Sequence, residues 1–191
     1  MKINAKSGLL DEATFIPSPN FDTRPRGDGK NDVEISLIVV HNISLPPGEF
    51  GGPYINQLFT NQLNKDEHPY FAEIHQLKVS SHVLIRRDGA IIQYVPFHLR
   101  AWHAGASEYC GKQACNDFSI GIELEGTDDL AYEAVQYKTL ARLVTELRRS
   151  YPGIAKDAIT GHSDIAPGRK TDPGPAFVWD TLNQQLKQQQ A

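Results

Sequence analysis

Several polar residues that could support hydrolytic chemistry lie within one short loop of the sequence. Between residues 160 and 174 these are His162, Asp164, Arg169, Lys170 and Asp172. The same stretch contains three glycines and two prolines, which favour turns rather than a helix or a strand. An imidazole close to carboxylates is half of a metal site, and a catalytic zinc takes three protein ligands. We therefore expect another part of the chain to complete the site.

A second histidine, His41, lies near the carboxyl end of a predicted strand. Residues 35–43 are rich in β-branched side chains and are almost continuously apolar, which indicates a buried strand. Because strand side chains alternate, His41 shares one face with Leu37 and Val39. An imidazole at the mouth of a buried strand suits a ligand or a catalytic group. A core histidine that bonds to the backbone would show the same pattern.

Residues 116–126 predict another strand, which carries two glutamates on one face. Phe118, Ile120, Ile122 and Leu124 alternate along it with Ser119, Gly121, Glu123 and Glu125. This period of two residues is typical of a strand with one apolar face. The other face either meets solvent or directs a glutamate into a cleft, where Gly121 leaves room for another group to approach.

The remaining patterns predict one domain of the mixed α/β class, with a central mixed β-sheet flanked by helices. Asp88-Gly89 between two β-rich runs indicates a hairpin, and residues 132–149 have the apolar period of an amphipathic helix. Shorter helices are expected after Pro53 and over 176–186. The predicted domain spans residues 1–191, with an irregular segment at about 1–34, a polar connection over 64–76 and a frayed tail at about 187–191.

Composition excludes several classes of protein. The chain has 191 residues, 40% of them hydrophobic and 22% charged, and a formal net charge of −4. This acidic balance argues against a general nucleic-acid-binding protein. No apolar run approaches the roughly 20 residues that a membrane span requires. The first residues carry two lysines but no apolar stretch of the signal-peptide kind, so we expect a cytoplasmic protein.

These residues together indicate a zinc hydrolase with an ambiguous set of ligands. His41, His162 and one aspartate would satisfy a catalytic zinc that keeps its fourth position for water. The spacing does not choose between Asp164 and Asp172. It also leaves His82 and His103 open as ligands. The residues alone therefore identify a class of chemistry rather than a ligand set.

Longer motifs point to a family. They are Val39-Val-His-Asn-Ile-Ser-Leu-Pro-Pro-Gly48, Arg86-Arg-Asp-Gly89, Ala101-Trp-His-Ala-Gly105, Cys115-Asn-Asp-Phe-Ser-Ile-Gly-Ile-Glu-Leu-Glu-Gly-Thr127 and Thr160–Pro175. In these runs, and from about residue 14 to about residue 180, the chain resembles the zinc-dependent N-acetylmuramoyl-L-alanine amidases. It resembles most the cytoplasmic enzymes of bacterial peptidoglycan recycling. The wider family includes phage lysozyme-like amidases and the animal peptidoglycan recognition proteins, whose fold the resemblance implies.

The resemblance also implies roles for single residues. It assigns Zn²⁺ to His41, His162 and Asp172, and so selects Asp172 over Asp164. Glu123 becomes the general base and Lys170 stabilises the transition state. Residues expected to contact substrate more weakly are Asn42, Trp102 and His103.

The function that follows is hydrolysis of the amide between the lactyl group of (1,6-anhydro-)N-acetylmuramic acid and L-alanine. The expected partner is a small muropeptide, and the expected state is a monomer without nucleic-acid or membrane partners. One alternative is a lytic amidase that acts on intact cell wall, as phage endolysins do. Another is a non-catalytic peptidoglycan-binding receptor of the same fold, which would usually lack a zinc ligand. Activity on intact wall would identify the first alternative, and zinc content the second.

Overall fold

A computed structural model describes residues 1–26 and 33–189 of the chain. Its centre is a six-stranded mixed sheet with the strand order β1-β5-β4-β9-β3-β10. These strands are β1 Thr14–Phe15, β3 Leu37–Ile43, β4 Val83–Ile85, β5 Ile91–Gln93, β9 Ser119–Glu125 and β10 Ile159–Gly161. Two small antiparallel pairs, β2–β6 and β7–β8, accompany it; they are β2 Phe21–Asp22, β6 Arg100–Ala101, β7 Glu108–Tyr109 and β8 Lys112–Gln113.

Helices cover both faces of the central sheet. They are α1 Tyr54–Phe59, α2 Pro69–Ile74, α3 Ala134–Ser150, α4 His162–Ile165 and α5 Trp179–Gln188. A 3₁₀ turn, Cys115–Asp117, leads into β9. Within the described ranges, no helix has the length and apolar character needed to cross a bilayer. The predicted mixed α/β class is confirmed.

The core explains why the sheet is covered on both sides. Val83 and Ile85 belong to the larger apolar cluster, which includes residues of α3 and α5. Leu84, the residue between them, belongs to a second cluster that includes residues of α1 and α2. Because successive strand side chains point to opposite faces, α3 and α5 lie against one face of the sheet. The helices α1 and α2 lie against the other.

Three neighbouring parallel strands end at the same edge of the sheet. β9 pairs with β3, and β3 pairs with β10, both in parallel. His41 lies opposite Glu123 in this register, and His162 follows the last residue of β10. Carboxyl ends of parallel strands are the usual location of ligand sites in open α/β sheets. This topology therefore brings together residues that are more than a hundred positions apart in the sequence.

The predicted strands and the long helix are confirmed with small shifts of their ends. The hairpin turn also forms, between β4 and β5, and Gly89 has a positive φ of 84° there. Two expectations were wrong. The polar connection over 64–76 contains α2, which starts at Pro69 behind the N-cap His68, and the stretch 160–174 begins with the end of β10 and the short helix α4. In the tail predicted at about 187–191, α5 continues to Gln188, and residues 190–191 lie outside the described ranges.

The second face of β9 is a buried surface and not a solvated one. All seven residues of this strand are buried, including Glu123 and Glu125. Glu125 is satisfied there, because its carboxylate accepts hydrogen bonds from Arg86 Nη1 and from the Gly51 and Arg87 amides. Glu123 has no such set of partners, which makes it the unusual acid of the strand.

The segment before residue 27 is integrated into the domain. Ile3 and Leu10 form an isolated bridge and are buried. Leu10 N donates to the buried amide of Gln93. Arg24 is only 6% exposed, and its guanidinium lies behind β9. The predicted irregular character of this segment holds for most of its described residues, but β1 joins the central sheet and β2 pairs with β6. Residues 27–32 of the predicted segment lie outside the described ranges.

Candidate metal and active site

Three side chains form a small triangle of ligand atoms at the carboxyl edge of the sheet. His41 Nδ1 lies 3.0 Å from His162 Nδ1 and 3.0 Å from Asp172 Oδ2. His162 Nδ1 lies 3.1 Å from the same Asp172 oxygen. Both histidines are buried, and the Asp172 side chain is 14% exposed. Three lone-pair atoms so close together could hold a metal ion.

The loop between β10 and α5 supplies two of these groups because it folds back on itself. Ser163 N donates to Asp172 O at 2.9 Å, which brings the end of the loop next to its start. Asp164 points elsewhere, since its Oδ2 accepts from Thr160 Oγ1 at 2.8 Å and from Gly161 N at 2.9 Å. The choice between the two aspartates, which the spacing left open, is thus made by geometry. Asp172 joins the triangle and Asp164 braces the loop.

Charge balance in the triangle follows from burial and from hydrogen bonds. Burial lowers the pKa of His41 to about 4, so its imidazole is neutral at pH 7. Burial opposes ionisation of Asp172, but in the metal-free protein its hydrogen bonds with the His162 and His41 rings prevail and hold its pKa below the ordinary value. A neutral imidazole at His41 and a carboxylate at Asp172 are the protonation states that a metal requires of such ligands.

These residues fit a zinc ion. Two imidazole nitrogens and one carboxylate oxygen are among the ligand sets of catalytic zinc sites. Ligand atoms about 2.0–2.1 Å from a tetrahedral zinc lie roughly 3.3 Å from one another, close to the observed 3.0–3.1 Å. The second nitrogen of each ring already has a protein partner: His41 Nε2 lies 2.9 Å from His103 Nδ1, and His162 Nε2 lies 3.1 Å from Ala104 O.

Glu123 is a buried acid of the site, and one oxygen of its carboxylate has no hydrogen-bond partner in the described part of the chain. It is 9% exposed, and its buried Oε2 has no hydrogen-bond partner there. Burial, reinforced by the negative charge of Asp172, raises the pKa of Glu123 well above its ordinary value, and Lys170 opposes this shift. A carboxylate with a raised pKa and a free oxygen is suited to accept and return a proton.

A cavity of about 660 Å³ opens onto this cluster. Its polar lining includes the triangle, Glu123 and the loop residues Arg169 and Lys170. Its apolar lining comes from α1, α2 and the residues after them, among them Leu58, Phe59, Tyr70, Ile74, Leu77 and Val79. A cavity of this size accommodates an amphipathic small molecule.

Of the three residues expected to contact substrate, two line the cavity and one does not. Asn42 lines the cavity, but its amide donates to Asp128 Oδ1 at 2.8 Å and to Pro173 O at 3.1 Å. His103 also lines the cavity and lies against His41. Trp102 does not line it and is half-buried. Asn42 therefore braces the loop that carries Asp172, and a contact of Trp102 with substrate stays a prediction.

His82, another candidate ligand in the sequence, is part of the scaffold. Its Nδ1 accepts from Gly121 N at 3.0 Å, and its Nε2 donates to Leu99 O at 3.1 Å. Burial, together with the nearby Arg24 charge, lowers the pKa of His82 to about 3. Both nitrogens are therefore occupied, and the ring stays neutral. Sequence reasoning gave no sign of Ala104 O as the outer partner of His162, because this contact is tertiary.

A scan of protein families agrees with the site. Residues 31–175 match the family described as N-acetylmuramoyl-L-alanine amidase. The chain therefore belongs to the N-acetylmuramoyl-L-alanine amidase family, and its enzymatic class is that of an amide hydrolase. The resemblance read from the motifs is confirmed.

Individual relatives show which amidases this chain is similar to. The chain is 63% identical to the 1,6-anhydro-N-acetylmuramyl-L-alanine amidase AmpD of Salmonella typhimurium strain SL1344, over 90% of this chain and 89% of the relative. A crystal structure of a selenomethionine AmpD derivative superposes with a TM-score of 0.91 and 57% identity, covering 97% of this chain and 99% of the other. A complex of the Escherichia coli amidase AmiD with anhydro-N-acetylmuramic acid-L-Ala-D-γ-Glu-L-Lys superposes with a TM-score of 0.58 and 31% identity, covering 82% and 59%.

Proposed function

We propose that this amidase cleaves the bond between the lactyl group of 1,6-anhydro-N-acetylmuramic acid and L-alanine in muropeptides, as a step of peptidoglycan recycling. The observation that carries the proposal is the triangle of His41, His162 and Asp172 beside the unsupported carboxylate of Glu123. Support for the anhydro substrate comes from the AmpD relative and from the substrate named in the AmiD complex.

We propose Zn²⁺ as the metal, with His41 Nδ1, His162 Nδ1 and an Asp172 oxygen as its protein ligands. Zinc in such a site supplies Lewis acidity, which makes water nucleophilic near pH 7 and polarises a carbonyl. The protein's own side chains carry out the other parts of the mechanism. They position the substrate, transfer one proton and place a positive charge near the carbonyl oxygen.

Glu123 is proposed to move that proton. Its Oε2 is free, buried and on the same sheet face as His41. It accepts a proton from the attacking water and returns it to the nitrogen of the leaving L-alanine. The raised pKa of its carboxyl group favours the second step, because a carboxyl group that holds its proton more firmly is available as an acid near neutral pH. A bound dication would draw this pKa downward again toward the working range.

Lys170 is proposed to stabilise the negative charge that develops on the carbonyl oxygen. It lines the cavity, and its positive charge lowers the pKa values of both Glu123 and His41. A positioned donor for an oxyanion commonly contributes about 3–4 kcal/mol to lowering the barrier. Lys170 is exposed, so bound substrate has to exclude water for the full effect.

Mass spectrometry of the products tests the proposed reaction. The purified protein, loaded with zinc, is incubated with 1,6-anhydro-N-acetylmuramyl-tripeptide. Free tripeptide together with 1,6-anhydro-N-acetylmuramic acid is the expected result. Cleavage of intact sacculi without cleavage of the anhydro-muropeptide would instead identify a lytic amidase. If the substrate stays intact and the protein binds no zinc, the proposed metal chemistry is refuted and a binding protein is favoured.

We also propose that the protein acts as a monomer in the cytoplasm. The resemblance to the recycling amidases supports the compartment, and the acidic net charge of −4 is compatible with a soluble monomer. Light scattering coupled to size exclusion measures the mass against the 21.3 kDa of one chain. Fractionation of cells that express the protein measures the compartment, and a periplasmic or dimeric result would contradict this part of the proposal.

A further inference from the structure

Two residues of the motif Ala101-Trp-His-Ala-Gly105 contact the triangle of His41, His162 and Asp172 on the side away from its ligand atoms. His103 Nδ1 lies 2.9 Å from His41 Nε2. One residue further, Ala104 O lies 3.1 Å from His162 Nε2. The two histidines come from strand ends far apart in the sequence, and yet their outer nitrogens meet consecutive residues of a single loop.

The partners of each ring nitrogen determine where the protons lie. His162 Nε2 meets a carbonyl oxygen, so it carries a proton, and Nδ1 keeps its lone pair for the metal. His41 must likewise keep a lone pair on Nδ1, so its Nε2 carries the proton and donates to His103 Nδ1. His103 then carries its own proton on Nε2, which lies 3.2 Å from Ser119 Oγ. Ser119 Oγ in turn donates to Cys115 O at 2.5 Å.

This chain of hydrogen bonds has one direction from end to end. His41 Nε2 donates to His103 Nδ1, His103 Nε2 donates to Ser119 Oγ, and Ser119 Oγ donates to Cys115 O. The terminal carbonyl can only accept, which orients every group before it. A neutral imidazole has two tautomers, and the bond made by its outer nitrogen decides which one is available to a metal.

The surroundings hold the His103 ring in place for this role. A Cβ atom at Gly121 would lie 2.4 Å from His103 Cγ, so glycine at this strand position is what leaves room for the ring. Asn116 Oδ1 accepts from the amides of His103 and Ala104 at 3.1 and 2.8 Å. On the other side, Arg169 Nη2 donates to Ala104 O and Ala106 O at 2.6 and 2.7 Å.

We infer that His103 is a positioning residue for the metal site, and that it does not act on the substrate. It sets the tautomer and the ring orientation of His41 through the fixed chain to Ser119 and Cys115, while the adjacent Ala104 carbonyl does the same for His162. The inference rests on the proposed function, because it takes His41 and His162 as the zinc ligands. It extends that function by assigning the role of a residue that was expected only to touch substrate.

The first test measures zinc affinity by competition with a chromophoric chelator. His103→Phe keeps a ring but removes the acceptor for His41, and we expect zinc binding weaker by about 10–100-fold, the usual effect of losing an outer partner of a ligand. His103→Asn can place an amide oxygen near the position of Nδ1 and should recover part of the loss. His98→Phe, at an exposed histidine, is the matched control and should bind zinc as the wild type does.

A second variant keeps the test decisive if His103→Phe does not fold. Gly121→Ala leaves all the hydrogen-bonding groups present, but its methyl group displaces the His103 ring. We expect it to weaken zinc binding and to alter the visible spectrum of the cobalt-substituted protein, which reports ligand geometry. Circular dichroism of the metal-free forms separates these effects from unfolding. An unchanged affinity and an unchanged cobalt spectrum in the folded variant would overturn the inference.

Nitrogen NMR gives a direct measurement on the wild type. Long-range ¹H–¹⁵N correlation spectra of the zinc-loaded protein should show both His41 and His103 protonated at Nε2. A His103 ring protonated at Nδ1 would reverse the chain and contradict the inference. If the wild type binds no zinc at all, the proposed function fails. If it binds zinc and the His103→Phe and Gly121→Ala variants bind equally well, only the positioning role fails.

Discussion

His41 and Glu123 lie opposite each other on the neighbouring parallel strands β3 and β9. Residues paired in this way project on the same face of the sheet, so a proposed metal ligand and the proposed proton acceptor are held by adjacent backbone segments. Rigid strands give a more accurate placement than loops do. The other members of the site, His162, Asp172 and Lys170, lie on the segment after β10, which is closed by the Ser163 N to Asp172 O hydrogen bond.

Replacing Glu123 by glutamine should separate chemistry from metal binding. Glu123→Gln keeps the size of the side chain but cannot accept a proton from water. We expect normal zinc content by plasma mass spectrometry and a kcat lower by about 10²–10⁴-fold, the usual contribution of a general base. Glu73→Gln, at an exposed position of α2, is the control. A turnover of Glu123→Gln near that of the wild type would remove Glu123 from the mechanism.

The two aspartates of the 160–174 loop should respond in opposite ways. Asp172→Asn should lose zinc and activity together, because a neutral amide is a weak zinc ligand. Asp164→Asn should keep its zinc and lose about 1 kcal/mol of unfolding free energy, because it weakens the hydrogen bonds from Thr160 and Gly161. Zinc analysis and urea unfolding of both variants measure this. Loss of zinc in Asp164→Asn alone would reverse the assignment.

Metal removal should lower stability and leave the fold in place. A metal that binds only the folded state stabilises it by mass action, so dialysis against a chelator should lower the Tm and added zinc should restore it. In His41→Ala the Tm should not respond to zinc, whereas His98→Ala should behave as the wild type does. A His41→Ala variant with a full complement of zinc would show that the ligand set is wrong.

Acid should destabilise the metal-free protein below about pH 6.5. Burial lowers the pKa values of His41 and His82 to about 4 and about 3, whereas both titrate near about 6.5 in an unfolded chain. The unfolded state therefore binds more protons as the pH falls through this window, and stability is lost in it. Each histidine contributes roughly 1.4 kcal/mol per pH unit, and Glu123, whose raised pKa lets the folded state bind a proton as the pH falls, opposes the two histidines by at most the slope of one group. Urea unfolding between about pH 7.5 and pH 5 measures the slope, and a flat profile would contradict it.

Arg24 should be a strong determinant of stability although it carries no catalytic group. Its guanidinium donates to the carbonyl oxygens of four residues: Phe97, Asn116, Asp117 and Ser119. Burial lowers its pKa to about 10, so it remains charged at pH 7. We expect Arg24→Met to cost more than about 2 kcal/mol, because buried carbonyls lose their donors. Arg26→Met, at an exposed position, should change urea unfolding little, and equal effects of the two changes would refute this account.

Much of the fold could be predicted because its main elements have a local signal. Each signal lies within the residues of the element itself: β3 has an apolar run, β9 alternates between apolar and polar residues, and α3 has the apolar period of a helix. Helix α2 was not predicted because it has only six residues and a single buried one, Phe71, so no apolar period can develop along it. Pro69 at its first position is nevertheless a helix-start signal.

The site could be predicted only in part. Two histidines and a choice of aspartates followed from residue type, and the family resemblance selected Asp172. The roles of Ser119 and the Ala104 carbonyl could not be predicted, because they arise when distant segments meet. Gly121 was recognised as room for an approaching group, but only the structure shows that the group is the His103 ring.

The buried guanidinium of Arg24 also bears on how this enzyme can be shortened. The family match begins at residue 31, and a fragment cut to those limits would appear to contain every ligand and the proton acceptor. It would lack the side chain that gathers the carbonyls of Phe97 and Ser119 behind the His103 ring. Minimal fragments for fusion or display should therefore begin before Arg24, because the metal centre depends on a segment that contributes no atom to it.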